Sequence, residues 1–220
     1  MCNRYRMIAD DAALAARYGV EGPFPPDLTV PPPDLFPKRA ARVVREEDGR
    51  RVLDAMSWGF PMQVRTAAGT ATEKPVTNVR NLSSPFWRAA LKGSERRCLV
   101  PVTAFSEYGP GRAGARPLYW FDVPSRPIFS FAGIWRPTAA GAAFAFLTTE
   151  PNSLVAPIHP KAMPVILDDE GEALWLAGEL DGLVEAFPSQ LMAVTRADAT
   201  PAGTPGELFT RGGDAVPESS

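Results

Sequence analysis

Proline sets the first limit on what this chain can become. Of its 24 prolines, seven fall between Pro23 and Pro37, in the runs Pro23-Phe24-Pro25-Pro26 and Pro31-Pro32-Pro33 and at Pro37 itself. A proline has no amide hydrogen to give to a helix or a central strand, and its ring fixes one backbone torsion. The segment 23–37 therefore reads as an extended surface loop, too short to be a module of its own. Ahead of it, Asp10 supplies a capping carboxylate for a helix that runs to Tyr18, with Leu14 and Ala15 on the apolar side.

Beyond the loop, β signals dominate. Segments 41–45 and 52–58 read as strands joined by a hairpin turn at Glu47-Asp48-Gly49-Arg50. Ser84 and Pro85 open a helix over 86–91 as cap and first helical residue. Further strands are expected at 98–108, 118–123, 128–135, 144–149 and 163–167, helices at 170–177 and 180–187, and a last strand at 191–195. Many strands with helices inserted at intervals imply a single α+β domain built on a curled, mainly antiparallel, barrel-like sheet with flanking helices. The domain is expected over 1–199, and the Gly- and Pro-rich remainder, 200–220, is expected to be a loose tail.

The 220 residues suffice for a real core, and a net charge of −2 argues against coating nucleic acid through bulk charge. A local basic groove remains open, because phosphate contact depends on where Lys and Arg cluster. The start is polar and basic with no apolar signal core, and no apolar run nears the roughly 20 residues that cross a bilayer. A cytoplasmic, reducing location is expected, where thiols stay free. Cys98 sits in an apolar run and reads as a small buried hydrophobe. With one histidine, His159, and no Cys/His cluster, no metal site is expected; no phosphate loop and no organic cofactor are indicated either.

The chemistry concentrates at residue 2. A small residue after Met1 normally permits removal of the initiator, which would leave Cys2 with a free α-amine and a thiol. Such a 1,2-aminothiol condenses with an aldehyde to an imine, and the thiol then closes on the same carbon to give a thiazolidine. Both groups titrate near neutrality, the amine at about 8 and the thiol at about 8.5. Four other segments stand out, each with a plain alternative. Thr77-Asn78-Val79-Arg80-Asn81 offers an amide and a phosphate-holding arginine, or simply turns and caps. Phe105-Ser106-Glu107-Tyr108 ends an apolar strand on a carboxylate, which becomes an acid/base group if half-buried beside a nucleophile and is otherwise a solvent-facing charge. His159, in the proline-bounded turn Ile158-His159-Pro160, is either structural or a fixed imidazole suited to proton transfer. Trp58 ends a strand at a turn, as core or as a platform for a base.

Taken in order, these segments resemble one family. Met1-Cys2-Asn3-Arg4-Tyr5, Ser57-Trp58-Gly59, Thr77 to Asn81, Arg97 to Pro101 with Ser106-Glu107-Tyr108, Phe131 to Trp135, Leu147 to Asn152 and Ile158 to Leu167 are similar to the SOS response-associated peptidase (SRAP) family, which includes abasic-site processing proteins. The likeness runs from Cys2 to about Leu176. It implies a protein that reacts with the ring-opened aldehyde of an abasic site in single-stranded DNA and forms a thiazolidine crosslink that shields the lesion, with lyase activity through the imine. It assigns Cys2 as nucleophile, Asn78 as the group orienting deoxyribose and amine, Glu107 as acid/base and His159 as proton shuttle. Arg4, Arg80 and Arg88 would line the phosphate path, with Trp58, Tyr108 and Thr148 as further DNA contacts. The partner is then single-stranded DNA, not a membrane, and the protein is expected to be a monomer, nucleoid-associated when bound to damage. Asn3 stands where glycine is common in the family, and Tyr108 where tryptophan is frequent.

Two other functional classes fit part of the pattern. A cysteine hydrolase, including self-removal of Met1, would use Cys2, His159 and Asn78. A non-catalytic single-strand binding module would need none of them.

Overall fold

The computed structural model describes residues 2–22, 33–67 and 69–197. In chain order the elements are β1 (Tyr5–Arg6), α1 (Asp11–Tyr18), β2 (Asp34–Leu35), β3 (Ala40–Glu47), β4 (Arg50–Trp58), β5 (Phe60–Arg65), β6 (Ala71–Val76), β7 (Asn78–Val79) and α2 (Pro85–Lys92). A 3-10 turn, Ser94–Arg96, leads to β8 (Arg97–Val102), β9 (Ala104–Tyr108), β10 (Leu118–Asp122), β11 (Phe129–Thr138) and β12 (Gly141–Thr149). The chain finishes with β13 (Met163–Pro164), β14 (Ile166–Leu167), α3 (Asp169–Leu176), a 3-10 turn at Ser189–Leu191 and β15 (Ala193–Arg196).

Five strands close on themselves: β4, β3, β8, β11 and β12 pair in succession, and β12 returns to β4 in parallel. A second sheet, in the order β15-β10-β9-β1-β2, lies alongside. This is the α+β, barrel-like, mainly antiparallel domain that the strand pattern implies. The β3–β4 hairpin turns at Asp48 and Gly49, both with φ above zero (50° and 73°), as a two-residue Asp-Gly loop demands.

Alternation along the barrel strands separates two cores. Val43, Cys98, Val100, Phe131, Phe144 and Phe146 point to one side and join Cys2, Tyr5, Phe105 and Phe121. Their sequence neighbours Val44, Leu99, Ala132, Ala145 and Leu147 point to the other, where α1, α2 and α3 cover them with Leu14, Tyr18, Trp87, Leu91, Trp175 and Leu176. Strands buried on both faces read as unbroken apolar runs. The expected caps close their helices, Asp10 accepting from the Ala13 amide at 2.8 Å and Ser84 from Phe86 at 3.4 Å; Asp168, accepting from Gly171 at 2.7 Å, caps the third. Arg97, fully enclosed, joins two helix ends. It donates to Leu91 O at 2.8 Å near the end of α2 and to Gly178 O at 3.3 Å beyond α3, with its guanidinium 3.8 Å from the Trp175 ring.

Several expected elements differ. The helix expected at 180–187 is a series of turns, because Gly182 takes a positive φ of 75° that interrupts any helical path. The single strand expected over 98–108 is two strands in different sheets. The break is at Thr103, whose amide and hydroxyl both donate to Arg6 O, at 2.8 and 3.0 Å, and so swing the chain from the barrel to the second sheet. The strand expected at 163–167 divides into β13 and β14. Of the proline-rich loop, residues 23–32 lie outside the described residues; its remainder contains β2, which pairs with β1. The tail from 200 also lies outside them.

Candidate active site

Four residues distant in sequence lie together, Asn78 bonded to Cys2 and Glu107 beside both Cys2 and His159. Cys2 precedes β1 and is buried, its thiol donating to Arg4 O at 3.4 Å. Asn78 begins β7, which pairs in parallel with β12; its side-chain amide donates to the Cys2 carbonyl at 3.0 Å. Glu107 lies on β9, and its Oε2 is 3.5 Å from His159 Nδ1. His159 closes the turn that begins at Asn152, and its amide bonds Val155 O at 2.8 Å. Asn152 builds that turn. Its Oδ1 accepts from the amides of Leu154 and Val155, and its Nδ2 donates to Phe187 O at 2.7 Å.

Burial governs the protonation states. It pushes the Cys2 thiol far above its ordinary range, and the neighbouring Glu107 charge adds to the effect. It raises Glu107 from 4.5 to about 7. It pulls His159 below its ordinary value, helped by the positive charges of Lys161 and Arg116. At neutral pH the site therefore holds a thiol, a neutral imidazole and a carboxyl poised to give or take a proton. A carboxyl with this affinity suits acid and base catalysis alternately. Among the described residues no group of three His, Cys, Asp or Glu side chains is arranged to hold a metal ion.

Arg4, Arg6 and Arg80 are engaged by acids. Arg4 pairs with Asp34, which also binds Arg6 at 2.8 Å. The Arg4 and Arg6 guanidiniums both lie over the Trp120 ring, at 4.9 and 4.0 Å. Arg80 bonds Thr149 O at 2.6 Å and pairs with Glu150. Arg88 lies exposed on α2, and Tyr108 is 48% exposed beyond Glu107. Trp58 and Thr148 are placed differently. Trp58 is wholly buried, stacked on Phe144 and Phe146, with its indole N–H on Thr77 O at 3.3 Å. It offers no face on which a base can stack. Thr148 is likewise buried and bonds Val79 O at 3.4 Å. Both support β7 and the segment before it, which carry Asn78.

Arg116 was not marked by its residue pattern, yet it lies over the Tyr108 ring at 5.3 Å and its charge reaches His159. The usable signal was the basic, Gly-rich run Gly109-Pro110-Gly111-Arg112-Ala113-Gly114-Ala115-Arg116 directly after Tyr108. A separate groove of about 500 Å³ beneath α3, lined by Ile166, Leu174, Leu183, Phe187 and Leu191, contains none of these site residues.

The family model for SOS response associated peptidase (SRAP) matches residues 1–199. Abasic site processing protein YoqW of Bacillus subtilis (strain 168) is 22% identical over 192 residues, spanning 80% of each chain, and the protein of the same name from Bacillus phage SPbeta matches equally. Among solved structures, a protein from Bacteroides thetaiotaomicron superposes with a TM-score of 0.71 at 23% identity, over 89% of this chain and 91% of its own. A protein from Bordetella bronchiseptica gives 0.68 at 19% identity, over 89% and 99%. These two likenesses show the fold.

Proposed function

Because this chain belongs to the SOS response-associated peptidase family, we propose that it processes abasic sites in DNA by capturing them covalently through Cys2 once Met1 is removed. The observation that carries this reading is the convergence on Cys2: Asn78 grips its carbonyl, and the Glu107–His159 pair stands beside its thiol. The name of the Bacillus relatives points to the same lesion.

The chemistry derives from the protonation states. The free α-amine attacks the C1′ aldehyde of the ring-opened sugar and gives a carbinolamine. Protonated Glu107 donates to its hydroxyl, water leaves and a protonated imine (an iminium) remains. Glu107 is now a carboxylate beside a thiol that burial has kept protonated, and it takes that proton as sulfur attacks the imine carbon. The new C–S bond closes the thiazolidine, whose ring nitrogen keeps the one hydrogen left from the amine, and Glu107 ends protonated as it began. Overall the aldehyde and the aminothiol combine with loss of one water. One carboxyl serves both steps because its proton affinity lies near neutrality. His159 holds Glu107 in place and exchanges protons at the sugar oxygen. Arg4, Arg80, Arg88 and Tyr108 line the approach of single-stranded DNA.

A cysteine hydrolase would need a thiolate. Here burial raises the thiol, which donates to Arg4 O, and the imidazole Nδ1 faces Glu107. The test is an oligonucleotide with one abasic site, mixed with protein and run on a denaturing gel. A heat-stable shifted band with wild type, missing with Cys2→Ala and with undamaged DNA, is expected. Acetylating the α-amine should abolish the band. Activity that survives acetylation would instead favour the hydrolase.

A further inference from the structure

Asn78 is 7% exposed, and its amide is almost fully committed. One N–H is held by the Cys2 carbonyl at 3.0 Å and the other by Thr77 Oγ1 at 2.7 Å. Because a carbonyl can only accept, the nitrogen must face Cys2, and the amide cannot be turned over. With its oxygen accepting from Asn78, Thr77 has its own hydrogen to pass on, and Asn3 Oδ1 lies at 3.5 Å. The chain of donors therefore runs one way, from Asn78 to Thr77 to Asn3. Asn78 Oδ1 is left over: buried, an acceptor, and without a hydrogen-bond partner among the described residues. A buried acceptor in that state calls for an explanation.

Thr77 is itself held on several sides. Its carbonyl accepts from the Trp58 indole and from the Phe146 amide, each at 3.3 Å. Its side chain is tucked against Gly59, where a Cβ would come within 3.2 Å of the Thr77 methyl. The hydroxyl is thus a fixed post, and the second N–H of Asn78 is pinned to it.

We propose that Thr77 is a positioning residue: it fixes the plane of the Asn78 amide so that Oδ1 waits as the acceptor for a hydrogen that arrives only with the reaction, on the freed α-amine of Cys2. That bond sets the direction of the nitrogen lone pair towards the aldehyde. The inference rests on the crosslinking function proposed above and adds to it a residue that touches neither DNA nor sugar.

The experiment is single-turnover crosslinking across a range of abasic oligonucleotide concentrations. Thr77→Val keeps the shape against Gly59 and loses the acceptor. Its maximal rate is expected to fall between about 10- and 100-fold, as for a misplaced reacting group, with the half-saturating DNA concentration unchanged. Thr77→Ser should restore the rate. In an Asn78→Ala background, Thr77→Val should have no further effect, since the residue acts through Asn78. If Thr77→Val melts below the assay temperature, Thr77→Ala and Thr77→Ser make the same comparison, with alanine slow and serine like wild type. A wild type that crosslinks alongside a Thr77→Val of equal rate overturns the inference and leaves the proposed function standing. So does an undiminished loss in the Asn78→Ala background. A wild type that forms no adduct overturns both.

Discussion

Replacing Glu107 by glutamine is expected to stabilise the protein in alkaline solution while slowing its chemistry. Glu107 is buried beside Cys2 and His159, and its carboxyl is raised from 4.5 to about 7. The folded state thus binds this proton more tightly than the unfolded chain. The stability it contributes is present in full below about 4.5 and is lost as pH rises to about 7. At about 1.4 kcal/mol per tenfold change in proton affinity, the cost above that range is about 3 kcal/mol. Glutamine has nearly the shape of the protonated acid and cannot ionise. The variant should match wild type at pH 4 to 5, a range set by the same pair of values, and exceed it above neutrality. For a chain of this size the gain corresponds to roughly 6–12 °C in melting temperature. The assay is thermal unfolding of both proteins across the pH range, paired with crosslinking rates. A constant offset at every pH, or a variant less stable than wild type in alkali, would refute the placement of a raised, buried carboxyl.

The same geometry sets further outcomes. The forward crosslinking rate should peak between about 7, where Glu107 loses its proton, and about 8, where the α-amine does; Glu107→Gln should remove the alkaline limb. His159 is the sole histidine, so its ring protons can be tracked singly by NMR. The imidazole should titrate below its ordinary value, and Arg116→Ala should move it upward, because that cation depresses it. Glu150→Gln should release Arg80 from its acid and tighten single-stranded DNA binding a few-fold. Arg80→Ala should weaken it and lower the salt slope by about one. Both are read from binding titrations at several salt concentrations, and a Glu150→Gln that binds no better would remove Arg80 from the DNA path.

What the sequence made legible depended on local chemistry. Asp10 and Ser84 cap helices because a short side chain can reach the first free amides whatever surrounds it. The Asp48-Gly49 turn obeys the same kind of local constraint. The convergence of Cys2, Asn78, Glu107 and His159 was suggested by likeness to a family, since nothing local ties residue 2 to residue 159. Tertiary events were hidden. The apolar pattern runs straight through Thr103 although the chain changes sheet there. Pro61 and Pro75 sit directly opposite each other in the β5–β6 ribbon, a position that two strands with no further neighbour among the described residues tolerate. Trp58 looked equally suited to stack on a base or fill a core, and only packing against Phe144 and Phe146 separates the two. Thr77 has no distinguishing mark until its hydroxyl is seen beneath Asn78.

The central claim is that both groups of an N-terminal Cys2 bond to one carbon of the lesion. Intact mass spectrometry of the protein mixed with an abasic oligonucleotide, without any reductant, and then peptide mapping, tests it most directly. The predicted species is the chain without Met1 plus the oligonucleotide less one water, with the modification on Cys2 and no free thiol there. An adduct on another residue, an adduct that retains Met1, or a Cys2 thiol still open to alkylation within the adduct would contradict the account.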